Sequence, residues 1–259
     1  MLNELYTSDA SLYEIIAGGR NFSAQISFLL NHYSKGFKKG KVKVSRSLEL
    51  FAGPAWHTKE IKKHNFEAFA IDASNEMRII ACNDGLLKKK YYYISRLPNI
   101  PRIITKLSFD LAFALCYSIG YLSPLQLRKM LNHLSKIIVP GGMLFLELHD
   151  LNLLRKNLDD LKIKERIIYC QKEKSIKCVW PSAPIEWSNE EWVVQMPILI
   201  EVREGRKLVN KKNLISKEYI HLPSDFKNIA EETKLWEFRE LTNFKNSFLQ
   251  SKICVMEKL

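Results

Sequence analysis

The sequence has few of the residues that build disulfide frameworks and metal clusters. Its five cysteines are an odd number without a CxxC pair, and its six histidines show no HxxxH spacing. These absences argue against a disulfide-stapled fold and a structural zinc site. The longest charge-free stretch in the middle of the chain, residues 111–127, is interrupted by Ser, Gly and Pro. It falls short of the roughly 20 apolar residues that a membrane span needs, so we expect no transmembrane helix.

Glycine and proline are also scarce, with 10 Gly and 9 Pro in 259 residues. Together with 46% apolar and 26% charged residues, this composition is typical of a folded globular protein and excludes collagen-like or disordered chains. The N-terminus reads Met1-Leu2-Asn3-Glu4 and soon reaches Asp9. A signal peptide would show basic residues followed by an apolar block. We therefore expect a cytoplasmic protein.

Positive charge is in excess, since 40 Lys and Arg against 28 Asp and Glu give a formal net charge of +12. Such a surface attracts anions in general. Much of the excess lies in lysine-rich runs at 35–43 and 88–90, and runs of this kind usually form solvated faces or loops. Anionic substrates stay open as a hypothesis, and nucleic acid is less favoured.

Apolar spacing predicts the order of helices and strands. Residues 9–33 show helical periodicity with a break at Gly18-Gly19, and the polar run 34–43 resembles a linker. Strands and helices then alternate, which implies parallel pairing through right-handed crossovers. Alternation over 161–221 predicts an inserted antiparallel meander, followed by a helix at 223–234. The strands predicted for the main sheet are 44–51, 67–71, 91–94, 109–115 and 143–148, with a closing hairpin of 236–242 and 248–257.

The ends of the first two predicted strands point to a ligand site. Small residues follow the first strand at Ala52-Gly53-Pro54, where the backbone has to turn sharply. The second strand ends at Asp72, 19 residues after Gly53. Ligands of open parallel sheets bind at the carboxyl ends of the strands, and an acid there is well placed to accept both ribose hydroxyls of a nucleoside.

Several segments in register resemble class I S-adenosylmethionine-dependent methyltransferases. The resemblance runs along most of residues 9–160 and again through the final helix and hairpin. Its motifs are an acid before a glycine turn (Glu49 and Gly53), a D-x-S-x-x-M pattern (Asp72, Ser74 and Met77), F-D-L at 109–111 followed by 116–122, and Pro140-Gly141-Gly142 before the fifth strand.

The resemblance implies an α/β fold, namely a Rossmann-like seven-stranded mixed sheet of order 3-2-1-4-5-7-6 with helices on both faces. It implies a cofactor-binding core of 1–160 and 222–259, with 161–221 as an antiparallel β insertion that covers the acceptor. The implied cofactor is S-adenosyl-L-methionine, and the implied reaction moves a methyl group to a nitrogen or oxygen of a small molecule or peptide amine. No metal is required, and a homodimer is left open.

The resemblance also implies site residues. Those expected at the cofactor are Tyr13, Arg20, Glu49, Ala52, Gly53, Pro54, Asp72, Ala73, Met77, Ser95, Arg96 and Cys116. Two departures from the family pattern stand out. Phe51 and Ala55 occupy places where the family usually has glycine, and Ser95 stands where it usually has an acid after the third strand.

At the acceptor end, His149 follows the fifth strand and is predicted to act near the transferred methyl, across Tyr117 and Tyr121. An unperturbed histidine titrates near pH 6.5, which suits it to remove a proton from the acceptor. Trp180 and Trp187 of the insertion are predicted to contact the acceptor.

Three other functions stay open. An RNA or nucleotide methyltransferase fits the basic charge, but the segment after the fourth strand lacks the [DNS]PP[YFW] signature of enzymes that methylate base amines. A nicotinamide-dependent dehydrogenase would share the architecture, but G-x-G-x-x-G is absent. A non-catalytic binding protein that kept the methyltransferase fold would be consistent with the reduced glycine turn.

Overall fold

The computed structural model describes residues 3–36, 46–152, 154, 165–169, 174–188, 191–245 and 250–259. The predicted linker from residue 37 onward, the first two residues of the predicted first strand and parts of the predicted insertion lie outside these ranges.

The described residues form two β-sheets and helices on both sides of the larger one. The helices are α1 (Ala10–Ala17), α2 (Phe22–Gly36), α3 (Trp56–Lys62), α4 (Asn75–Asn83), α5 (Pro124–Leu134) and α6 (Pro223–Thr233). The strands are β1 (Arg46–Leu50), β2 (Glu67–Asp72), β3 (Tyr92–Ile94), β4 (Phe109–Ala114), β5 (Ile138–Leu148), β6 (Glu165–Tyr169), β7 (Lys174–Val179), β8 (Glu186–Ser188), β9 (Val193–Glu204), β10 (Lys207–Tyr219), β11 (Trp236–Lys245) and β12 (Gln250–Lys258).

The larger sheet has seven strands in the order β11-β12-β5-β4-β1-β2-β3, which confirms the predicted order 3-2-1-4-5-7-6. Strands β1 to β5 pair in parallel, whereas β12 runs antiparallel to both β5 and β11. Every residue of the central strand β4 is buried. A parallel strand covered on both faces needs such a continuous apolar run, so this strand was readable from the sequence.

Two apolar clusters hold helices on opposite faces of this sheet. On one face, α5 and α6 pack through residues such as Met130 and Phe226 against Leu144 and other inward residues of the central strands. On the other face, Ile26 of α2 and Ile61 of α3 pack with residues of β4, β5 and β12. Helix α5 begins at Pro124, because Ser123 and Gln126 form a reciprocal capping box with Pro124 in the first turn.

The fifth strand begins earlier than the predicted 143–148, and residues 139–142 belong to it rather than to a turn before it. Strand β5 starts at Ile138, which pairs with Phe109, and the register then shifts before Leu111 pairs with Met143. Gly141 has a φ of 73°, and a Cβ on Gly142 would lie 2.7 Å from Cγ2 of Ile138. The glycines therefore form an irregularity within a continuous strand rather than a separate turn.

The second sheet is the predicted insertion, and its described residues are antiparallel in the order β10-β9-β7-β6, with β8 paired to β9. Its apolar face packs against the N-terminal segment, because Leu5 and Ile16 share a cluster with Ile176, Ile198 and Ile200. The N-terminus and the insertion thus meet over the carboxyl ends of the larger sheet. In the described part of the chain, no helix is long and apolar enough to cross a membrane.

Candidate active site

A cavity of about 940 Å³ lies at the carboxyl ends of β1, β2 and β4, under the N-terminal segment and β10. Its walls bring together most of the residues predicted at the cofactor and one of those predicted at the acceptor. The predicted residues that line it are Tyr13, Glu49, Ala52, Gly53, Pro54, Asp72, Ala73, Met77, Ser95, Arg96, Cys116 and Tyr121.

The loop after β1 has a left-handed backbone at three alternate positions. Phe51, Gly53 and Ala55 have φ values of 55°, 52° and 55°. Left-handed backbone costs a residue with a side chain roughly 1 to 2 kcal/mol, which is why glycine usually occupies such positions. The backbone thus adopts the conformation of a turn with three glycines, although only Gly53 is a glycine. A Cβ on Gly53 would meet only Cε1 of Tyr13, at 3.9 Å, so the loop leaves open space above it.

Asp72 holds this loop from the neighbouring strand. The Gly53 amide donates to one carboxylate oxygen of Asp72 at 2.8 Å, and the Ser74 amide donates to the other at 2.8 Å. Burial raises the pKa of Asp72, and the bonds from the Ser74, Gly53 and Ala73 amides oppose this rise. From β3, the Tyr92 hydroxyl donates to the Gly53 carbonyl at 2.7 Å. The loop is therefore fixed by side chains of two strands, the adjacent β2 and the edge strand β3.

Glu49 is a buried carboxylate that organises the start of α3. It accepts a hydrogen bond of 2.7 Å from the Thr58 amide and lies 2.9 Å from Nδ1 of His57. Nε2 of His57 lies 2.7 Å from Oε1 of Gln25, which joins α2 to the same network. A carboxylate at a helix N-terminus is favoured by the free amides there. The structural role of Glu49 is thus to hold α3 against the floor of the cavity.

Arg20 lies beneath the cavity rather than in its lining. Its guanidinium contacts Sγ of Cys116, and the Cys116 amide donates to the buried Glu147 at 2.6 Å. Burial raises the pKa of Cys116 to about 12, so the thiol stays protonated near neutral pH. Burial works against the charge of Arg20, but Cys116, Tyr13 and Glu147 outweigh it and the net effect raises the pKa of Arg20.

Aromatic rings form a row along one wall of the cavity. Trp56 stacks on Tyr13 at 6.2 Å between ring centroids, and Tyr13 meets Tyr6 edge-on at 5.1 Å. Tyr6 then meets Tyr121 edge-on at 5.9 Å, and their hydroxyls lie 2.6 Å apart. The row leads from the loop after β1 to the region covered by β10. Trp56, Tyr13, Tyr6 and Tyr121 all line the cavity.

The far wall is assembled from segments that are distant in sequence. Residues 213–217 and Tyr219 of β10 line it, together with Asn3 and Glu4. Side-chain bonds fasten these segments to each other. Nδ2 of Asn3 donates to the Ile215 carbonyl at 3.2 Å, and Nζ of Lys212 lies 2.5 Å from Oδ2 of Asp9.

His149 and Tyr117 lie behind this wall and are not among the described residues that line the cavity. Their rings stack at 4.4 Å with an angle of 8° between the planes. Nε2 of His149 lies 2.7 Å from Oε2 of Glu218, and Oγ of Ser216 donates to Oε1 of the same residue at 2.6 Å. The structure thus connects His149 to β10 of the insertion. The predicted role of His149 beside the transferred methyl stays a prediction.

Trp180 and Trp187 also lie elsewhere than in the cavity lining. Both pack against an apolar cluster of the insertion that includes Val194 and Met196, and Trp187 meets Trp192 edge-on at 5.9 Å. These contacts are those of packing residues in a small sheet. The insertion residues that do face the cavity come from β10 instead.

The amino-acid sequence matches no protein-family model and no curated protein. Solved structures do match over nearly the whole chain. An S-adenosylmethionine-dependent methyltransferase from Clostridium acetobutylicum has a TM-score of 0.71 at 16% identity, with 97% of this chain and 98% of that chain covered. The chain has the methyltransferase fold.

Two further structures with this methyltransferase fold come from small-molecule enzymes. The sugar N-methyltransferase KedS8 from Streptoalloteichus has a TM-score of 0.74 at 14% identity, with 98% of this chain and 94% of that chain covered. CalS10, an amino pentose methyltransferase from Micromonospora echinaspora, has a TM-score of 0.73 at 12% identity, with 96% and 97% covered. The match includes the insertion, because coverage extends over both sheets.

Sequence reasoning missed several cavity residues of this methyltransferase fold. Tyr6, Trp56 and His57 line the cavity, and of these only Trp56 and His57 adjoin a motif that the sequence makes visible. Ser216 and Glu218 gave no signal, because their alternation along β10 is that of any antiparallel strand. Both are less than 5% exposed, and this burial is visible only in the folded structure.

Proposed function

We propose that this protein is an S-adenosylmethionine-dependent methyltransferase that acts on a nitrogen or oxygen of a small molecule or peptide amine. The observation that carries the proposal is the loop after β1, held in a glycine-type conformation by Asp72 at the edge of a large cavity. A backbone that approaches a ligand closely and an acid at the end of the second strand form the expected arrangement for an adenosine ligand.

The residues present fit such a cofactor. Gly53 leaves space over the loop. The Asp72 carboxylate has about four lone-pair sites and accepts from three backbone amides, so it can accept a further hydrogen bond. We assign the ribose to Asp72, the methionine end to the loop at 52–54, and the cofactor's carboxylate to the neighbourhood of Arg20 and Tyr13. When bound, the cofactor supplies an electrophilic methyl on a sulfonium, so that the new bond forms from an acceptor lone pair while the C–S electrons return to sulfur.

The protein's own contribution is to position the acceptor and keep water away. The row of Tyr13, Tyr6 and Tyr121 encloses the space beyond the loop, and β10 closes it from the other side. Orientation of this kind supplies a large part of the catalysis of a group transfer between two bound reactants. We propose that the insertion determines the acceptor and that the larger sheet determines the cofactor.

Isothermal titration of the full-length protein with S-adenosylhomocysteine and with NAD tests the proposal. We expect S-adenosylhomocysteine, the thioether that methyl transfer leaves from the cofactor, to bind and NAD not to bind. Transfer of a labelled methyl group from S-adenosylmethionine to a panel of amines and alcohols then tests catalysis. Binding of NAD without S-adenosylhomocysteine would contradict the proposal, and binding of S-adenosylhomocysteine without any transfer would favour a non-catalytic binding protein.

A further inference from the structure

Strand β10 is an edge strand of the second sheet, and its open edge lies along the cavity. Among the described strands it pairs only with β9. Residues 213–217 line the cavity without a gap. Successive side chains of a strand point to opposite faces of the sheet, so an unbroken run of lining residues means that the edge of the strand faces the cavity. A sheet edge presents backbone N–H and C=O groups that the sheet itself does not use.

Two contacts show which residues of β10 direct these groups outward. Ile215 pairs with Pro197, which has no N–H and whose carbonyl accepts from the Ser182 amide at 2.8 Å. Further along, the Ile220 amide donates to the Trp192 carbonyl at 2.7 Å. Hydrogen-bonded and non-hydrogen-bonded pairs alternate along an antiparallel ladder. The even-numbered residues of this stretch therefore bond to β9, and the odd-numbered residues direct their N–H and C=O groups to the open edge.

The contacts on either side of Lys217 agree with this assignment. Nδ2 of Asn3 donates to the Ile215 carbonyl at 3.2 Å, so a side-chain amide reaches that carbonyl from the open edge. A Cβ on Gly120 would lie 3.2 Å from the Tyr219 carbonyl oxygen, so this oxygen also faces away from β9. Lys217 lies between these two positions, and no described residue bonds its outward N–H and C=O groups.

An outward N–H and C=O on one residue match a particular kind of ligand. In an antiparallel ladder, two opposite residues exchange both of their backbone hydrogen bonds. The group that fits opposite Lys217 therefore has to supply one carbonyl and one N–H at the spacing of a peptide backbone. Peptides bind in this way when they add a strand to an open sheet edge. A single hydroxyl fills one of the two positions, whereas a peptide residue fills both.

The position of the cofactor loop sets the direction of an added strand. Gly120, next to the Tyr219 carbonyl, belongs to the short 3-10 helix Ser118–Tyr121, which follows β4 and adjoins Cys116 in the sequence. The Tyr219 end of β10 is thus the end near the residues expected at the cofactor. A strand that runs antiparallel to β10 begins at this end. Its terminal amine would lie beside Tyr121, and the chain would continue past Lys217.

We propose that the acceptor is the N-terminal amine of a short peptide, which adds antiparallel to β10 with its second residue opposite Lys217. This inference rests on the proposed function and names its substrate class. The neutral amine forms the new N–C bond with its lone pair while the C–S electrons return to sulfur, so that sulfonium and amine become thioether and methylammonium. Asn3 binds the next outward carbonyl, that of Ile215, so the paired stretch ends there and a short peptide suffices.

The test uses trialanine amide and two analogues, each with one methyl group on a backbone nitrogen. Each is titrated into the full-length protein with S-adenosylhomocysteine present, and labelled backbone amides are followed by NMR. We expect trialanine amide to shift the Lys217 amide signal more than those of Ser216 and Glu218, whose amides face β9. A methyl on the second nitrogen removes the N–H that faces Lys217 and should weaken binding roughly three- to tenfold. A methyl on the third nitrogen, which faces away from β10, should weaken it less than about twofold.

Three variants test the edge from the side of the protein. Lys217→Pro removes one outward N–H and keeps the ladder with β9, because proline is tolerated where the N–H faces away from the sheet. It should weaken trialanine amide roughly three- to tenfold. Lys211→Pro removes an outward N–H of the same strand outside the described cavity lining and should leave the affinity unchanged. Lys217→Ala removes the charge, keeps the N–H and should also leave the affinity unchanged.

No shift of the Lys217 signal up to the solubility limit of trialanine amide would overturn the inference. So would an equal loss of affinity for the two methylated analogues, or normal affinity of a folded Lys217→Pro protein. If Lys217→Pro does not fold, the two analogues decide. Titration of S-adenosylhomocysteine into the same preparations tests the proposed function separately. A protein that binds the peptide at Lys217 but not S-adenosylhomocysteine would refute the methyltransferase proposal and leave the strand addition standing.

Discussion

The cavity has a side to which we assign the cofactor, called here the cofactor half, and a side to which we assign the acceptor, called the acceptor half. These two halves are built differently. In the cofactor half, Asp72 of the adjacent strand β2 and Tyr92 of the next strand β3 bind the backbone of the loop after β1, and all three strands belong to one sheet. In the acceptor half, side chains connect segments far apart in sequence. Tyr6 contacts Tyr121 in the lining, and His149 contacts Glu218 behind it. The first half is therefore a property of the sheet, whereas the second depends on how the insertion and the N-terminus are placed over it.

This contrast indicates which half can vary. The loop after β1 is held by a backbone bond from Ala52 to Ile71 and by the side chains of Asp72 and Tyr92. All three partners belong to strands of the larger sheet, so changes in the insertion leave these bonds in place. A wall that depends on single side-chain contacts changes its chemistry when one residue changes. We expect variants of the acceptor half to alter turnover or selectivity without altering cofactor affinity.

The largest effect is expected for a variant that disrupts only the acceptor half, and the quantity affected is turnover. His149→Ala removes the donor to Glu218 and the ring that stacks on Tyr117. If His149 supports removal of the acceptor's proton, turnover should fall by about 10² or more, with S-adenosylhomocysteine affinity unchanged. His64→Ala, at an exposed position before β2, is the matched control. Near-normal turnover of His149→Ala between about pH 6 and 9 would contradict the role.

The next largest effect is expected for a variant that disrupts only the cofactor half, and the quantity affected is cofactor affinity. Asp72→Ala removes the carboxylate that accepts from the Gly53 and Ser74 amides and is assigned to the ribose. Loss of charge-assisted hydrogen bonds should weaken S-adenosylhomocysteine binding by roughly 10- to 100-fold in a calorimetric titration. Asp84→Ala removes a carboxylate that pairs with Lys59 and should leave affinity unchanged. If Asp72→Ala binds as tightly as the unaltered protein, the ribose assignment is wrong.

A third variant sharpens the comparison within the insertion. Trp180 packs between two apolar clusters, so Trp180→Ala should lower the free energy of unfolding by about 2 kcal/mol, less than for a fully buried Trp. S-adenosylhomocysteine affinity should not change, since the cofactor half is separate. Trp180→Phe keeps an aromatic ring and should cost less in the same denaturation measurement. Lost turnover with normal stability would instead support the predicted contact of Trp180 with the acceptor.

The smallest effect concerns the link between the N-terminus and β10. Lys212 of β10 forms a hydrogen bond with Asp9, and this bond raises the pKa of Lys212. Partial burial opposes the rise, and the charge of Glu4 adds to it. From neutral pH up to about pH 10.5, the ordinary lysine value, Lys212 therefore contributes this stability fully, and the contribution is lost as pH rises through the raised value. Lys212→Ala should cost less than about 1 kcal/mol at neutral pH.

Denaturation curves of Lys212→Ala and the unaltered protein should converge once the pH exceeds the raised value. Added salt should also reduce the difference between them at neutral pH, because the pair is near the surface. A difference that persists at high pH would show that Lys212 acts through packing of its stem rather than through its charge.

The cofactor half could be predicted because its signals are local. Asp72 lies at a strand end that the apolar pattern of β2 marks, and small residues mark the loop around Gly53. The order of the larger sheet followed from the resemblance to methyltransferases, whereas the alternation of strands and helices indicated only parallel pairing. The loop conformation itself was not readable, since Phe51 and Ala55 are not residues that favour a positive φ.

The arrangement of the acceptor half could not be predicted, because its residues are brought together only by contacts between segments far apart in sequence. Glu218 and Ser216 belong to a strand whose alternating pattern fixes a face but not what the face covers. Trp180 and Trp187 were predicted to contact the acceptor, but the structure shows them packed within the insertion. Neither periodicity nor motif spacing brings Tyr6 to Tyr121.

The bond from Tyr92 to the Gly53 carbonyl connects ligand binding to the least protected strand of the larger sheet. Strand β3 has three residues and lies at the sheet edge, where strands open to solvent most readily. Opening of β3 would release a restraint on the loop, so a ligand that binds only the closed loop also holds the edge in place. Bound cofactor should therefore slow amide hydrogen exchange in β3, including at residues outside the cavity lining.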